Sequence, residues 1–117
     1  SGSFRVDLAA PLLNHAAVLN GPMGPALIQV AGALQSGVAP GQGERFWKSR
    51  RRMLAPMFDA AIERSELPAD IDRDELFAMA AGPIYFRKFI ASQPLTGDWV
   101  RKVVDQVCDR YGVPIRG

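Results

Sequence analysis

The sequence predicts an all-α protein, a bundle of five or more helices without a sheet. Apolar residues recur at the helical spacing of three and four in five stretches, and no stretch alternates apolar with polar residues as a half-buried strand does. Residues that break helices separate these stretches, among them Gly21-Pro22 and the glycine- and proline-rich loop at 37–43. The 117 residues have the size of a single domain, 1–117.

The five helices are predicted over about 3–19, 25–35, 42–64, 72–91 and 97–111. Ser3 is the expected N-cap of the first helix, and Asp72 with Glu75 has the spacing of a capping box at the fourth. Pro56 lies inside the long third segment and predicts a bend near 52–56, because proline removes a backbone hydrogen bond. The tail at 112–117 is predicted to be loose.

Composition excludes several classes of protein. Hydrophobic residues make up 48% and charged residues 22%, as in ordinary globular domains. The net charge of +2 is too small to indicate a nucleic-acid surface or an anionic membrane. The single cysteine cannot form an internal disulfide, and no apolar run approaches the ~20 residues of a membrane span. We therefore expect a cytoplasmic protein that does not contact membranes.

Two motifs resemble ligand-binding loops, but each lacks residues that such a loop requires. The glycines at 41–43 follow no strand and precede no Gly-Lys-Ser/Thr, so they do not predict a nucleotide loop. Asp70, Asp72 and Asp74 resemble the start of a calcium loop, but Glu75 stands where that loop needs glycine. Helix capping explains these carboxylates better.

The sequence does not indicate a catalytic site either. His15 is the only histidine, and no cysteine lies near it in sequence, so neither a metal site nor a Cys–His pair is indicated. His15 is then a core residue or a pocket-lining one. Cys108 falls in the apolar register of the last helix, as an inert buried thiol would. We expect no enzyme, no metal site and no cofactor.

The third segment carries the strongest candidate for a binding site. Its apolar stripe is rich in aromatic residues and methionine, which suit adaptable apolar pockets, although the same stripe could simply be core. In the basic run 48–52, Arg50 alone falls close to this stripe and could contact a ligand. The candidate ligand-binding residues are Leu27, Phe46, Trp47, Arg50, Met53, Met57, Tyr85 and Phe86.

Four stretches, in this order, resemble the C-terminal regulatory domain of TetR/AcrR-type transcriptional regulators. They are 2–8, then Glu44-Arg45-Phe46 followed by Arg50-Arg51, then Arg64-Ser65-Glu66-Leu67 with Asp70-Ile71-Asp72, and finally 81–87 with Pro94-Leu95. The resemblance covers about 2–111. The chain departs from the pattern at Pro56, inside a helix that is usually unbroken, and at Ser65, where glycine is usual.

The resemblance implies a domain that senses a small, largely apolar effector and forms a homodimer. The last two long helices would pair with their copies in a four-helix bundle, since they carry apolar residues on more than one face. DNA binding, as repressor or activator, would belong to an N-terminal helix-turn-helix, which does not precede Phe4 in this chain. The expected dimer-interface residues are Phe77, Ile84, Trp99, Val103 and Val107.

Two other functions remain open on the sequence. A helical scaffold or protein-interaction module would have a filled core and no pocket, so uptake of an apolar probe separates it from an effector domain. A small helical enzyme would need a cluster of titratable groups in a cleft.

Overall fold

A computed structural model describes residues 2–35 and 41–115, and every regular element in these ranges is helical, so the all-α class is confirmed. Five α-helices and one π-helical turn follow one another: α1 (Phe4–Asn20), α2 (Gly24–Gln35), α3 (Gln42–Glu63), α4 (Arg73–Tyr85), the π turn (Phe86–Ile90) and α5 (Gly97–Arg110). Most of the predicted loop at 37–43 lies outside the described residues, and α3 already includes its last two. None of the described helices is long and apolar enough to cross a membrane.

Helix α1 forms the centre of the bundle. It contacts all four other α-helices, and its longest shared boundary is with α5. Positions four, four, four and three apart place one continuous face of α1 in the core, where each side chain is at most 4% exposed: Phe4, Leu8, Leu12, Ala16 and Leu19. This face follows the helical period that the sequence shows.

Side-chain caps begin two of the helices. The Asp72 carboxylate accepts the backbone N–H of Glu75 at 3.0 Å, which confirms the predicted cap of α4. The Thr96 hydroxyl accepts the N–H of Trp99 at 3.2 Å and caps α5, a cap that was not predicted. Ser3 occupies the N-cap position of α1, but its side chain makes no capping hydrogen bond.

The start of α1 is bound instead by Glu66, which is 3% exposed in the turn after α3. One Glu66 oxygen accepts the backbone N–H of Phe4 at 3.1 Å, and the other accepts the Nε of Arg64 at 2.6 Å. The Arg64 guanidinium also lies 3.5 Å from the Asp7 carboxylate on α1. The Arg64–Leu67 turn, which carries part of the family resemblance, therefore ties the end of α3 to the start of α1.

The predicted loose tail is wrong for residues 112–114. Val113 is 3% exposed, and its N–H donates to the Cys108 carbonyl at 2.9 Å. The Arg5 guanidinium donates to the Val113 carbonyl at 2.6 Å and forms an ion pair with Asp109 at 2.6 Å. These partners lie more than 100 positions away in sequence, so local residue pattern could not reveal them.

The fourth predicted helix is shorter than expected. Instead of one α-helix over 72–91, the hydrogen bonding changes at Phe86, whose carbonyl accepts the N–H of Ala91 five residues later. Pro83, just before this change, lacks the N–H that would bond to the Met79 carbonyl. Helix α3, in contrast, is a single α-helix through Pro56, and the bend predicted there stays a prediction.

Ser65 adopts the left-handed backbone conformation, with φ at 62°, at the position where the family resemblance leads us to expect glycine. A side chain at such a position costs ~1–2 kcal/mol, partly offset by the greater freedom of glycine in the unfolded chain. We therefore expect Ser65→Gly to raise the free energy of unfolding by up to about 1 kcal/mol. The control, Ser49→Gly on the exposed surface of α3, should lower it by about 0.5 kcal/mol. Urea unfolding measures both, and changes of equal sign would contradict the prediction.

Candidate ligand-binding cavity

Helices α1, α3 and α4 surround a cavity of about 260 Å³. Its size lies just below the ~300–1,000 Å³ that ligand pockets usually have, so it suits a small molecule. Most of its wall is apolar: Pro11, Leu12, Phe46, Trp47, Phe77, Ala78, Ala81 and Gly82. The polar lining side chains are His15, Arg50 and Tyr85. We call this space the α1–α3–α4 cavity.

Helical spacing explains why these residues converge. The α1 and α3 walls each use positions i, i+1 and i+4, which lie on one face of a helix. Helix α4 extends the same pattern but carries small residues there, Ala78, Ala81 and Gly82. A Cβ built on Gly82 would meet nothing within 4 Å. Between the large side chains of Phe77 and Tyr85, these three short residues of α4 leave the space open.

His15 and Tyr85 form the polar end of the cavity. The His15 Nε2 and the Tyr85 hydroxyl are hydrogen-bonded, and their ring centres are 5.2 Å apart. Burial lowers the pKa of His15, and the nearby positive charge of Arg50 lowers it further. Burial raises the pKa of Tyr85, against the opposing effect of Arg50. Both rings are therefore neutral at pH 7, and Arg50 is the one charged side chain among the described lining residues.

A second cavity, of about 290 Å³, lies between α3 and α4. Trp47 and Phe77, whose ring centres are 6.2 Å apart, line both cavities and separate them. The second cavity is also bordered by cations: Arg51 lies 3.1 Å from Asp74 and Arg73 lies 2.8 Å from Asp59, whereas Arg52 has no carboxylate partner among the described residues. In the α1–α3–α4 cavity the charged group without such a partner, Arg50, is partly buried and lies near the His15–Tyr85 pair, whereas Arg52 is exposed.

The structure brings together four of the eight residues predicted to bind ligand: Phe46, Trp47, Arg50 and Tyr85. The other four do not line this cavity. Met53 is 71% exposed and Phe86 61% exposed, whereas Leu27 and Met57 are partly buried against the core. The sequence left His15 open between core and pocket, and the structure places it in the lining. The small residues of α4 were not predicted, because a residue that leaves space gives no signal of its own.

Four of the five residues expected at a dimer interface are buried inside the single chain. Ile84 is fully buried, Val103 and Val107 are each 6% exposed, and Phe77 faces the cavities. Helix α1 packs against both α4 and α5 and covers one apolar side of these helices, and the assignment of these residues to a dimer interface stays a prediction. Phe77, expected at a dimer interface, lines the cavities, whereas Phe86, expected to bind ligand, is 61% exposed.

An exposed apolar surface nevertheless lies on α4 and α5, on the side that faces away from α1. A shallow groove there is lined by Met79, Pro83, Trp99, Val103, Gln106, Val107 and Arg110. Phe86 and Ile90, 61% and 69% exposed, continue the spacing of Met79 and Pro83 along the chain. We call Met79, Pro83, Phe86, Ile90, Trp99, Gln106 and Arg110 the outer face.

The environment of His15 predicts how stability depends on pH. The pKa of His15 in the folded state lies below the 6.5 of the unfolded chain, so the unfolded state takes up a proton first as pH falls. The corresponding stability is present above pH 6.5 and is lost as pH falls towards the folded-state pKa. We expect the free energy of unfolding to decrease between pH 7.5 and 5.5, and His15→Gln to remove part of that decrease. Urea unfolding of both proteins tests this, and identical pH profiles would contradict it.

Residues 1–107 match the family described as tetracyclin repressor-like, C-terminal domain. The matched range includes the Arg64–Leu67 turn, the whole lining of the α1–α3–α4 cavity and most of α5. No curated protein and no solved structure gives a match. Because the match extends over most of the chain, this protein belongs to the family of tetracycline repressor-like C-terminal domains.

Proposed function

We propose that this chain is the effector-sensing and dimerisation domain of a TetR-type transcriptional regulator in the cytoplasm. The observation that carries the proposal is the α1–α3–α4 cavity, in which apolar walls surround one cation and one neutral hydrogen-bonded pair. Such a cavity suits a small, largely apolar molecule held in one orientation by a few polar contacts. DNA would be bound by an N-terminal helix-turn-helix and not by the helices described above.

The groups in the cavity favour binding over catalysis. Its described lining contains no carboxylate, serine or cysteine beside His15, so no nucleophile and base are paired there. The described residues also contain no group of three or more potential metal ligands. Cys108 lies outside this lining, and burial raises the pKa of its thiol to about 11, which keeps the thiol protonated and unreactive. We therefore propose a regulator without enzymatic activity or cofactor.

The position of α1 offers a path from effector to DNA. Its Pro11, Leu12 and His15 form one wall of the cavity, and its first residue is held by Glu66. An effector that separates α1 from α3 and α4 would therefore change the direction in which the chain before Phe4 leaves the domain. The effector controls DNA binding to the extent that it binds one arrangement of α1 more tightly than the other.

The outer face is the proposed dimer interface. It lies on α4, the π turn and α5, which are the last helical elements of the chain, as the family resemblance implies. Large exposed apolar side chains such as Phe86 and Ile90 are unfavourable in water, and a second copy of the same helices would cover them. Two copies of α4 and α5 would form the proposed four-helix bundle.

A matched pair of substitutions tests the cavity. A thermal-shift screen of small lipophilic compounds should give hits, and a compound at a hundred times its Kd should add about 2.7 kcal/mol of stability. Ala78→Phe adds a ring at the cavity wall and should abolish the shift. Ala17→Phe makes the same change on an exposed part of α1 and should preserve it. If no compound stabilises the protein, a helical scaffold with no ligand is the better interpretation.

The outer face has its own test. Sedimentation at micromolar concentration should show a dimer for the unaltered chain, and Phe86→Asp should give a monomer with an unchanged helical circular dichroism spectrum. The reason is that a charge in a dimer interface must lose its water without gaining a partner. Val6→Asp, which changes another exposed apolar residue on α1, is the control and should remain dimeric. A wild-type monomer, or a dimer indifferent to Phe86→Asp, would disprove this interface.

A further inference from the structure

We infer that the effector of the α1–α3–α4 cavity is a small, mostly apolar monocarboxylate, aromatic or short-chain, whose carboxylate pairs with Arg50. This inference rests on the proposed function, because it names the chemical class of the molecule that the cavity takes. The argument uses the charge of the cavity, its hydrogen-bond donors and its size.

Among the described residues, Arg50 is a partly buried cation without a counter-ion. Three of the five other partly buried cations have a carboxylate at ion-pair distance: Arg5 pairs with Asp109, Arg64 with Glu66 and Arg73 with Asp59. Among the described residues, no carboxylate lies within this distance of Arg50, which instead lies 5.9 Å above the ring of Phe46. An anion from outside would supply the missing partner, and it would do so at a mostly apolar wall, where the attraction is less screened than in bulk water.

The neighbouring groups can donate to the same anion. When the His15 Nε2–H donates to the Tyr85 oxygen, the Tyr85 hydroxyl proton is free to point into the cavity. The anion would then accept one hydrogen bond from Tyr85 and a pair from the planar guanidinium of Arg50. A carboxylate has two oxygens in one plane and matches this geometry.

Size and charge favour a monocarboxylate over a phosphate or a dianion. One cation can neutralise one negative charge, and a second charge buried against Leu12, Trp47 and Phe77 would have no partner among the described lining residues. The volume of about 260 Å³ leaves room for one aromatic ring or a short alkyl chain beside the carboxylate. The aromatic and aliphatic walls then bury the apolar body of the molecule.

The experiment measures binding of three acids by calorimetry: benzoate, phenylacetate and hexanoate, each beside its primary amide, with phenyl phosphate as a dianionic control. At least one acid should bind at least about tenfold more tightly than its amide, because the carboxylate forms an ion pair with Arg50 that the neutral amide cannot form. Arg50→Gln should remove this difference while leaving the affinity for the amide within about twofold. Lys48→Gln removes the same charge from an exposed part of α3 and should change neither affinity.

His15 provides a second readout, because it is the only histidine in the chain and gives a single set of ring signals. Proton NMR should show that the pKa of His15 rises when the acid binds, since the anion cancels the charge of Arg50 beside it. The amide should leave the pKa unchanged, and Arg50→Gln should raise it without any ligand. A structural role for Arg50 alone would not produce a ligand-dependent change.

The outcomes separate this inference from the function on which it depends. If the amides or other neutral compounds bind as well as the acids, the carboxylate assignment is overturned and the effector cavity stands. Tighter binding of phenyl phosphate would overturn the assignment in favour of a dianion. If neither acids nor neutral compounds bind, the proposed function fails together with the inference.

Discussion

The carboxylate of Glu66 accepts the backbone N–H of Phe4 at the start of α1 and the guanidinium of Arg64 at the end of α3. A buried charge costs several kcal/mol unless it is paired and hydrogen-bonded, so removal of any one partner would destabilise the turn. Because α1 and α3 are two walls of the cavity, this carboxylate also fixes the frame in which His15 and Arg50 face each other. The motif that carries part of the family resemblance thus has a structural role, and the residues that line the α1–α3–α4 cavity lie elsewhere in the chain.

The cavity reflects a balance between packing and binding. Interiors of folded proteins are close-packed, and unfilled apolar volume lowers stability. On α4 the small side chains of Ala78, Ala81 and Gly82 leave such volume open between aromatic residues of the neighbouring helices. A molecule that fills it recovers contacts that the chain lacks by itself, so binding and stabilisation of one helix arrangement are the same event. This coupling is what a sensing domain requires.

Much of the fold was predictable, because helix formation depends on local pattern. The apolar period and the Asp72 cap predicted the helices to within a few residues, apart from the π turn that ends α4 early. The orientation of α4 was not predictable, since apolar residues occupy its opposite sides and only the packed neighbours decide that Phe77 faces inward. For the same reason the sequence predicted Tyr85 and the α3 part of the cavity lining but missed the small α4 residues that leave the space open. The docking of Val113 on Arg5 depends on contacts between the two ends of the chain.

The two tryptophans of the chain occupy the two surfaces proposed to have a role. Trp47 lines the α1–α3–α4 cavity, whereas Trp99 lies in the outer face with the guanidinium of Arg87 4.7 Å from its ring centre. Indole fluorescence responds to local polarity, so the emission of each residue reports on its own surface. A chain that retains Trp47 alone would signal effector binding, and one that retains Trp99 alone would signal association. The two events can thus be followed optically and independently within one small domain, and any lag between them gives the order in which they occur.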